Sequence, residues 1–372
     1  MMKDKKGFGI LRLYGGESGK IGYYNLQELG LARALRKYGY TVYIFFPAKT
    51  KKIQELYIED GIMLIYLPAR IYGSQSIFNV EQLSNYSFEI LQIQSDNQVM
   101  TPTVSAYCRR NHIHYYYYVG IIESHSNSSW KRRVMNCLFQ RNLKCMRNAQ
   151  VFTKTKTVKE QLIQNGIEQP VLVPVGLDMT DIPLIETDKN TLRKELNLPA
   201  NKKLLIFVGR LEADKRPLDL LGLMPDLKDK YALVMIGKGS LKEEVERYIV
   251  SENLSECVYC IDEIPNQELH LYLKAADYYI NLNEREIFGM GILEAMYQGC
   301  VVIARKAPGP LMIIDDGRDG FLVETDSEIV DKLQTEVGEI PNRAHEKIVR
   351  EFNWETSCQR LLEKLSENSD KE

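Results

Sequence analysis

The segment Glu286–Cys300 places two carboxylates on either side of a glycine-containing turn. Glu286 precedes the turn Gly289-Met290-Gly291, and Glu294 lies in the helical pattern that the turn opens. Backbone amides at a helix N-terminus favour a bound anion, because the helix dipole places partial positive charge there. The carboxylates can accept hydrogen bonds from hydroxyls of the same ligand. The spacing therefore predicts a site for a molecule that carries phosphate beside sugar hydroxyls, as a nucleotide sugar does.

Two cations lie in a loop that follows an earlier predicted strand. Arg210 and Lys215 come directly after the apolar run Leu204–Val208. At a strand end they could neutralise a diphosphate without a metal ion, because each charge-assisted hydrogen bond contributes roughly 1.5–3 kcal/mol. A solvated loop with a basic first turn is the structural alternative. The two-carboxylate segment favours the diphosphate interpretation.

The two carboxylates have other interpretations. They could be the acid and base of a glycosidase. Glu294 lies inside the helix whereas Glu286 precedes it, so the two should face different parts of one ligand, which argues against a glycosidase. Glu294 could also serve only to compensate the positive end of the helix.

The first half of the chain offers weaker signals. Gly15 and Gly16 end the first predicted strand, where glycine allows a ligand to approach the backbone closely. Their spacing is not that of a dinucleotide fingerprint, and a turn that serves only the fold is equally compatible. His125 follows a predicted strand that ends at Val119, and it is a candidate polar group of the site. Histidines in such positions also have surface or structural roles.

Short apolar runs alternate with helical patterns over nearly the whole chain, which is typical of parallel sheets built from βαβ units. A stretch with several prolines that begins at Pro174 predicts a linker between two series of such units. The sequence therefore predicts an α/β protein with two doubly wound domains that face each other across a cleft, because ligands bind beyond the carboxyl ends of such strands. Predicted strands are Phe8–Leu13, Thr41–Phe46, Ile62–Leu67, Glu89–Ile93, Ile113–Val119, Val151–Thr153 and Val171–Val173, then Leu204–Val208, Ala232–Ile236, Val258–Ile261, Tyr278–Leu282, Val301–Ala304 and Phe321–Val323.

Length and composition exclude several classes of protein. A chain of 372 residues with 44% hydrophobic and 26% charged residues can form two globular domains. The net charge of −2 argues against binding to nucleic acid, and no apolar run reaches the length of a transmembrane helix. Seven scattered cysteines and the absence of a signal-peptide core favour a cytoplasmic protein. Cys257 and Cys260 form a C-x-x-C within a strand pattern, which favours a buried strand over a metal or redox site.

Positive charge is concentrated in one segment of the first half. Residues 124–159 contain nine Lys or Arg and no Asp or Glu, which leaves 39 basic and 50 acidic residues elsewhere. A basic amphipathic helix can lie on an anionic membrane or contact a phosphorylated acceptor, and a solvated helix face is the alternative. The cations of the predicted helix are Lys131, Arg132, Arg133, Arg141, Lys144 and Arg147.

These motifs resemble those of the retaining glycosyltransferase family 4, whose members have the GT-B fold. The resemblance covers nearly the whole chain but is strong only in the second half. Two features depart from the family pattern, because Ile287 replaces a usual glycine and Leu282-Asn283 replaces a usual Pro-Ser. The matching segments are Val208–Lys215, Ile236–Glu244, Glu286–Met296 and Asp316–Val323.

The resemblance implies a role for each part of the chain. Residues 1–176 would form a Rossmann-like acceptor-binding domain, with a helix at 355–372 packing back on it, and residues 177–354 would bind the donor. Arg210 and Lys215 would hold the donor diphosphate, Glu286 the transferred sugar, and Glu294 the ribose. The backbone of Phe288, Gly289, Met290 and Gly291 would support the phosphates, Ile261 and Ile264 would border the base, Gly15 and Gly16 would approach the donor, and His125 would be the catalytic-region histidine.

The implied activity is transfer of a sugar, with retained anomeric configuration, from a nucleotide sugar to a hydroxyl. A UDP-sugar is the expected donor, with no cofactor and no metal ion. The expected acceptor is a glycan or a lipid-linked molecule, as in bacterial cell-surface polysaccharide synthesis at the inner face of the membrane. A nucleotide-sugar epimerase of the same fold and a catalytically silent partner subunit are the alternatives.

Overall fold

The computed structural model describes residues 6–15, 27–122, 128–183 and 185–369. The chain divides into two compact units. Unit 1 comprises residues 1–176 and 354–372, and unit 2 comprises residues 177–353. The boundary between residues 176 and 177 lies within the proline-containing stretch that starts at Pro174.

Unit 1 is built on one mostly parallel sheet. In the described residues its strand order is β3-β4-β2-β1-β6-β7-β8-β9, and β5 pairs with β4. The strands are β1 (Gly7–Arg12), β2 (Thr41–Ala48), β3 (Gln54–Glu59), β4 (Ile62–Tyr72), β5 (Gln75–Phe78), β6 (Ile90–Gln94), β7 (His114–Val119), β8 (Gln150–Thr153) and β9 (Val171–Leu172). The helices before residue 176 are α1 (Gln27–Lys37), α2 (Thr101–Arg110), α3 (Ser129–Met146) and α4 (Lys156–Gln164).

Strand β7 shows why this sheet is buried on both faces. Tyr116 and Tyr117 point to opposite faces and are both fully buried. Each hydroxyl has a partner, because Tyr116 donates to Gln92 at 2.6 Å and Tyr117 bonds with Ser105. A run of tyrosines can therefore form the centre of a parallel sheet.

Two strands of unit 1 were not predicted. β3 and β5 both pair antiparallel with β4. Residues of β3 are largely exposed, and Leu56 and Tyr57 are 41% and 70% exposed. An edge strand with both faces in contact with solvent has no apolar alternation, so the hydrophobic pattern did not mark it.

Unit 2 contains a parallel sheet with the order β12-β11-β10-β13-β14-β15. The chain first builds outward from β10 and then returns to the other side of it, so a topological switch point lies between β10 and β13. The strands are β10 (Lys203–Val208), β11 (Tyr231–Ile236), β12 (Val258–Ile261), β13 (Tyr278–Asn281), β14 (Val301–Arg305) and β15 (Phe321–Val323). The helices are α5 (Lys189–Glu195), α6 (Pro217–Leu227), α7 (Lys242–Ser251), α8 (Asn266–Ala275), α9 (Met290–Tyr297), α10 (Pro310–Ile313), α11 (Asp326–Gln334) and α12 (Ile340–Glu351).

The last helix, α13 (Trp354–Ser369), packs on unit 1. Gly30 of α1 makes room for the Trp354 ring, since a Cβ at this position would lie 2.2 Å from the indole. Ser357 Oγ donates to the carbonyl of Pro174 at 2.8 Å. Among the described helices, none is long and apolar enough to cross a membrane.

Candidate functional site

An ion pair joins the two loops that leave the sheet of unit 2 at the switch point. Lys215 Nζ donates to Glu286 Oε2 at 2.7 Å, and the side chains are 23% and 16% exposed. Lys215 ends a short 3-10 turn after β10, and Glu286 lies in the loop after β13. The structure thus brings together a cation and a carboxylate that the sequence placed in separate motifs.

Two asparagines that were not predicted from the sequence hold Glu286 in place. Asn283 Nδ2 and Asn281 Nδ2 lie 3.2 Å and 3.5 Å from Glu286 Oε2. Asn281 Oδ1 in turn accepts a hydrogen bond from the backbone of Asn283 at 3.0 Å. Within the described part of the chain, no donor reaches Oε1 of Glu286, so this oxygen is available to a ligand.

Glycines shape the turn between Glu286 and helix α9. Gly289 has a φ of +94° immediately before α9, a conformation that residues with a Cβ rarely adopt. Gly309 lies against this turn, because a Cβ there would be 2.1 Å from the carbonyl of Phe288, and its amide donates to the carbonyl of Glu286. The predicted anion site at the start of α9 therefore has a tightly packed backbone.

Gly291 has a packing role that the sequence did not indicate. A Cβ at this position would lie 2.4 Å from the hydroxyl of Tyr279. Burial raises the pKa of Tyr279 well above its ordinary value, and the charges of Glu286 and Glu294 raise it further. Tyr279 is therefore a neutral phenol that is close enough to both carboxylates of the motif to be affected by their charges.

Glu294 lies within α9 and is only 3% exposed. Asn266 Nδ2, at the start of α8, donates to Glu294 Oε1 at 3.3 Å. This bond links Glu294 to the segment of Ile261 and Ile264, which are both half-buried. Asn266 was not predicted as a site residue, although its place directly after Pro265 is a typical helix start.

Arg210 is less closely integrated than Lys215. Its side chain is 65% exposed and its Nη2 lies 3.3 Å from Asp214 Oδ2 in the same loop. No contact among the described residues joins it to Lys215 or Glu286. The structure thus places Arg210 in the predicted loop but not in the cluster around Glu286.

The candidates of the first half are only partly described. Gly15 follows β1, and a Cβ there would lie 2.8 Å from the carbonyl of Gln75. Its amide also donates to Ser74 at 3.0 Å, so Gly15 packs against the β4–β5 hairpin. Gly16 and His125 lie outside the described residues.

A polar cavity of about 290 Å³ lies in unit 1. It lies beyond the carboxyl ends of β1 and β6, between which the strand order of this sheet reverses. Charged and amide side chains dominate its wall, and none of them was predicted from the sequence. The lining residues are Arg12, Tyr14, Gln27, Glu28, Gln94, Asp96, Gln98, Tyr118, Gly120 and Lys154.

Two opposite charges in this cavity influence each other. Asp96 Oδ1 accepts hydrogen bonds from the amides of Gly120 and Ile121 at 2.9 Å and 3.1 Å. Burial raises the pKa of Asp96, although these amides and Lys154 oppose the shift. Burial lowers the pKa of Lys154, and the charges of Asp96 and Glu28 oppose that shift. Both groups are therefore held in an environment that disfavours charge.

Glu28 adds a second carboxylate to the cavity. Its side chain is only 5% exposed. In the part of the chain that the structure describes, it makes no hydrogen bond. Burial of such a carboxylate is costly unless a hydrogen-bond donor satisfies it. A hydroxyl of a ligand could be that donor.

Helix α3 carries the predicted basic surface, with one correction. Arg141 does not face solvent, because its Nη2 donates to the carbonyl of Val99 at 2.8 Å. Lys131, Arg132 and Arg133 are exposed. Trp130 and Val134 are 65% and 47% exposed and lie one helical turn apart on the same face.

The cysteines take no part in a metal site within the described ranges. These residues contain no group of three or more His, Cys, Asp or Glu side chains that could hold a metal ion. Cys257 is buried immediately before β12, whereas Cys260 is exposed within it. The expectation that both would be buried was therefore wrong for Cys260, which lies on the edge strand of the sheet.

The second half of the chain is similar in sequence to known glycosyltransferases. A family model described as glycosyl transferases group 1 matches residues 188–370. The chain is 30% identical over 213 residues to a D-inositol 3-phosphate glycosyltransferase of Corynebacterium jeikeium, covering 51% of this chain and 50% of that protein. The chain spans about half the length of the curated relatives it matches, with 50%, 45% and 57% in three of them.

Solved structures resemble the whole chain. A sucrose-phosphate synthase from Thermosynechococcus elongatus has a TM-score of 0.79 at 17% identity and covers 99% of this chain and 100% of its own. Anabaena HepE in complex with UDP-glucose has a TM-score of 0.71 at 18% identity, covering 97% and 99%. Residues 188–370 thus match the glycosyl transferases group 1 family, and the two units have the fold of GT-B glycosyltransferases of known structure.

Proposed function

We propose that the protein transfers a sugar from a nucleoside diphosphate sugar, with UDP as the expected nucleotide, to a hydroxyl of an acceptor. The observation that carries the proposal is the Lys215–Glu286 pair at the switch point of unit 2, beside the N-terminus of α9. This is the place where ligands bind in doubly wound sheets. The UDP-glucose complex of HepE, a structure of the same fold, supports the choice of nucleotide.

Lys215, Arg210 and the amides around Gly289 would hold the donor diphosphate. Negative charge grows on this group as the bond between the sugar and the phosphate breaks. Donors that are already in position where charge develops stabilise the transition state most, because they need no reorganisation. The chain's own cations would therefore supply the stabilisation without requiring a metal ion.

Glu286 and Glu294 would orient the donor. The free Oε1 of Glu286 can accept a hydrogen bond from a hydroxyl of the transferred sugar, and Glu294 would contact the ribose. In a retaining reaction the acceptor oxygen bonds to the anomeric carbon on the face from which the diphosphate departs. The acceptor proton would pass to the departing diphosphate, so that no protein base is needed.

Unit 1 would bind the acceptor. Its polar cavity of about 290 Å³ is near the lower end of the volumes of small-molecule pockets. Glu28 and Asp96 can each accept hydrogen bonds from hydroxyls, and the amide side chains can donate or accept. A hydroxylated ring of a glycan or of a lipid-linked acceptor has the matching chemistry.

The proposed setting is bacterial cell-surface polysaccharide synthesis at the cytoplasmic face of the membrane. The exposed part of α3 supports it, because the exposed cations Lys131, Arg132 and Arg133 directly follow the exposed Trp130. A basic helix with an exposed aromatic side chain can bind an anionic membrane surface without crossing it.

The experiment is incubation of the full chain with a panel of nucleotide sugars, without acceptor, followed by separation of the nucleotides. A transferase is expected to release the nucleoside diphosphate slowly from one donor. Interconversion of two nucleotide sugars would instead identify an epimerase. No change in any donor, including the UDP-sugars, would contradict the proposal and favour a silent partner subunit.

A further inference from the structure

A second set of ion pairs joins the loops that carry Lys215 and Glu286. Arg216, the residue after Lys215, donates to Asp219 and to Glu284, which lies two residues before Glu286. Its Nη2 also lies 3.8 Å from Asp326 Oδ2 at the start of α11. The Arg216–Glu284 pair therefore runs beside the Lys215–Glu286 pair and connects the same two loops.

Arg305 is a buried residue that lies close to Glu284 and Asp326, the same carboxylates that Arg216 contacts. It ends β14, its side chain is only 3% exposed, and its Nη2 donates to Asp326. Its Nε lies 3.9 Å from Glu284 Oε1. Within the described residues, its Nε and Nη1 have no hydrogen-bond partner. A buried guanidinium in this state depends on the nearby carboxylates, because removal of a partner would leave its charge uncompensated.

The backbone of Arg216 is held in an unusual conformation. Its φ and ψ are +55° and +46°, in the left-handed region, which residues with a Cβ adopt rarely and at a cost. Such residues persist where the surroundings hold them, and they are frequent at functional sites. This turn connects Lys215 to α6, so the conformation of Arg216 sets the direction in which the loop of Lys215 enters the helix.

We propose that Arg216 and Arg305 are positioning residues for the donor site. Through Glu284 and Asp326 they fix the separation of the loops of Lys215 and Glu286, so that a diphosphate and its attached sugar meet both groups at once. Small displacements in such a site reduce binding and rate strongly. This inference rests on the proposed function, because it assumes that Lys215 and Glu286 bind one donor.

A simpler interpretation is that Arg216 and Glu284 form an ordinary surface ion pair. Glu284 is 60% exposed, and exposed pairs contribute little to stability. The burial of Arg305 and the left-handed backbone of Arg216 are not features of such a pair. The two interpretations predict different effects on ligand binding, so they can be separated.

The test measures the dissociation constant of UDP by calorimetry for Arg216→Gly, Glu284→Ala and the double variant of the full chain. Glycine accepts the left-handed conformation, so Arg216→Gly removes the guanidinium without adding backbone strain. Each single change is expected to weaken UDP binding roughly tenfold, and the double change little more, because both remove the same connection. The donor KM is expected to rise in parallel.

The control is Lys306→Ala. Lys306 follows Arg305 but forms an exposed pair with Glu324, so this variant should bind UDP as the wild type does.

Three outcomes would overturn the inference. UDP binding within about twofold of wild type in both single variants would show an ordinary surface pair, and strictly additive effects would show that the two residues act independently. If Arg216→Gly fails to fold, Glu284→Ala tests the inference alone, because Glu284 is exposed and its loss should not prevent folding. Weaker UDP binding in this variant would support the inference, and unchanged binding would overturn it. Failure of the wild-type chain to bind UDP would overturn UDP as the nucleotide together with this inference, and the donor panel would then decide the proposed function separately. Normal wild-type binding with unaffected variants would overturn the inference alone.

Discussion

At the scale of single residues, Lys215 and Glu286 illustrate how a site can be formed before its ligand arrives. Each neutralises the other at 2.7 Å in this structure. A diphosphate would replace Glu286 as the partner of Lys215, and a sugar hydroxyl would replace Lys215 as a partner of Glu286. Asn281 and Asn283 would keep Glu286 in place during that exchange, because they donate to the same oxygen.

Replacement of Lys215 by alanine is expected to reduce turnover by roughly 10²–10³, because it removes a donor from the charge that develops on the diphosphate. Arg210→Ala should reduce turnover as well. The measurement is the rate of nucleotide release together with the melting temperature. Lys364→Ala provides the control, since Lys364 pairs with Glu367 on α13 of unit 1. Wild-type turnover in Lys215→Ala would remove its assignment to the diphosphate.

A second residue-scale prediction concerns pH. His270 is buried in α8, Gln298 Nε2 lies 3.2 Å from its Nδ1, and burial lowers its pKa from 6.5 to about 4. The unfolded chain binds a proton at this histidine below pH 6.5 whereas the folded chain does not. The free energy of unfolding is therefore highest, with respect to His270, above pH 6.5, and it decreases as the pH falls toward 4.

The predicted effect is a loss of about 3 kcal/mol in the free energy of unfolding between pH 6.5 and 4 from this residue alone. His270→Gln should fold with a smaller dependence on pH over that interval. Urea denaturation at pH 7 and at pH 4.5 measures the difference between the two proteins. An identical pH dependence in both would show that His270 is not the group responsible.

The sequence could predict Lys215 and Glu286, which the structure brings into contact, as members of one candidate site. Charged residues at fixed distances from glycine turns and strand ends are typical of sites for phosphates and sugars. The sequence could not predict Asn281 and Asn283, because asparagine after a strand is also a common turn residue. The partners of Arg305 were equally hidden, since the residue simply ends an apolar strand. Their roles depend on which loops become neighbours in the sheet.

At the scale of elements, the parallel strands were predictable and the two antiparallel strands of unit 1 were not. The central strands β10 and β11 were predicted to within one residue of the bounds that the structure shows, because continuous apolar runs mark strands covered on both faces. β5 escaped because it is only four residues long and pairs across a hairpin with β4. Hydrophobic pattern reports burial, so elements with little buried surface leave little signal.

Helix α3 is predicted to bind anionic membranes through its exposed cations. Reversal of charge at Lys131, Arg132 and Arg133 to glutamate is expected to lower binding to anionic vesicles. Each basic residue near an anionic surface contributes about 1 kcal/mol, so removal of three should reduce the partition coefficient by roughly 10²-fold or more. Flotation with vesicles of phosphatidylglycerol and phosphatidylcholine measures it.

A matched control for α3 lies in the same unit. Lys49, Lys51 and Lys52 are exposed in the loop between β2 and β3, and their reversal changes the net charge equally without an adjacent exposed tryptophan. This variant should still float with the vesicles. Equal loss in both triple variants would indicate a response to net charge, and no flotation of the wild type at physiological salt would contradict membrane binding by α3.

At the scale of the whole molecule, the two units differ in how much their sequences reveal. A family model of glycosyl transferases group 1 matches residues 188–370, which include most of unit 2. Unit 1 contains a cavity whose residues come from several strand ends and helices, and none of them belongs to a motif. A fold shared by many enzymes says little about such a cavity, because its chemistry depends on the particular residues that line it.

The charge of that cavity predicts which acceptors the protein uses. Glu28 and Asp96 would repel a phosphate, whereas Arg12 and Lys154 would attract one. No hydrogen bond from the described residues satisfies the buried carboxylate of Glu28, which favours uncharged hydroxyls as its partners. The wild-type chain is therefore expected to glycosylate methyl hexosides in preference to their 6-phosphates. Glu28→Gln and Asp96→Asn should each raise the KM for the uncharged acceptor roughly tenfold and shift preference toward the phosphate. Donor hydrolysis without acceptor should be unchanged, since it depends on unit 2. A wild-type preference for the phosphorylated acceptor would show that Lys154, rather than the carboxylates, determines what enters the cavity.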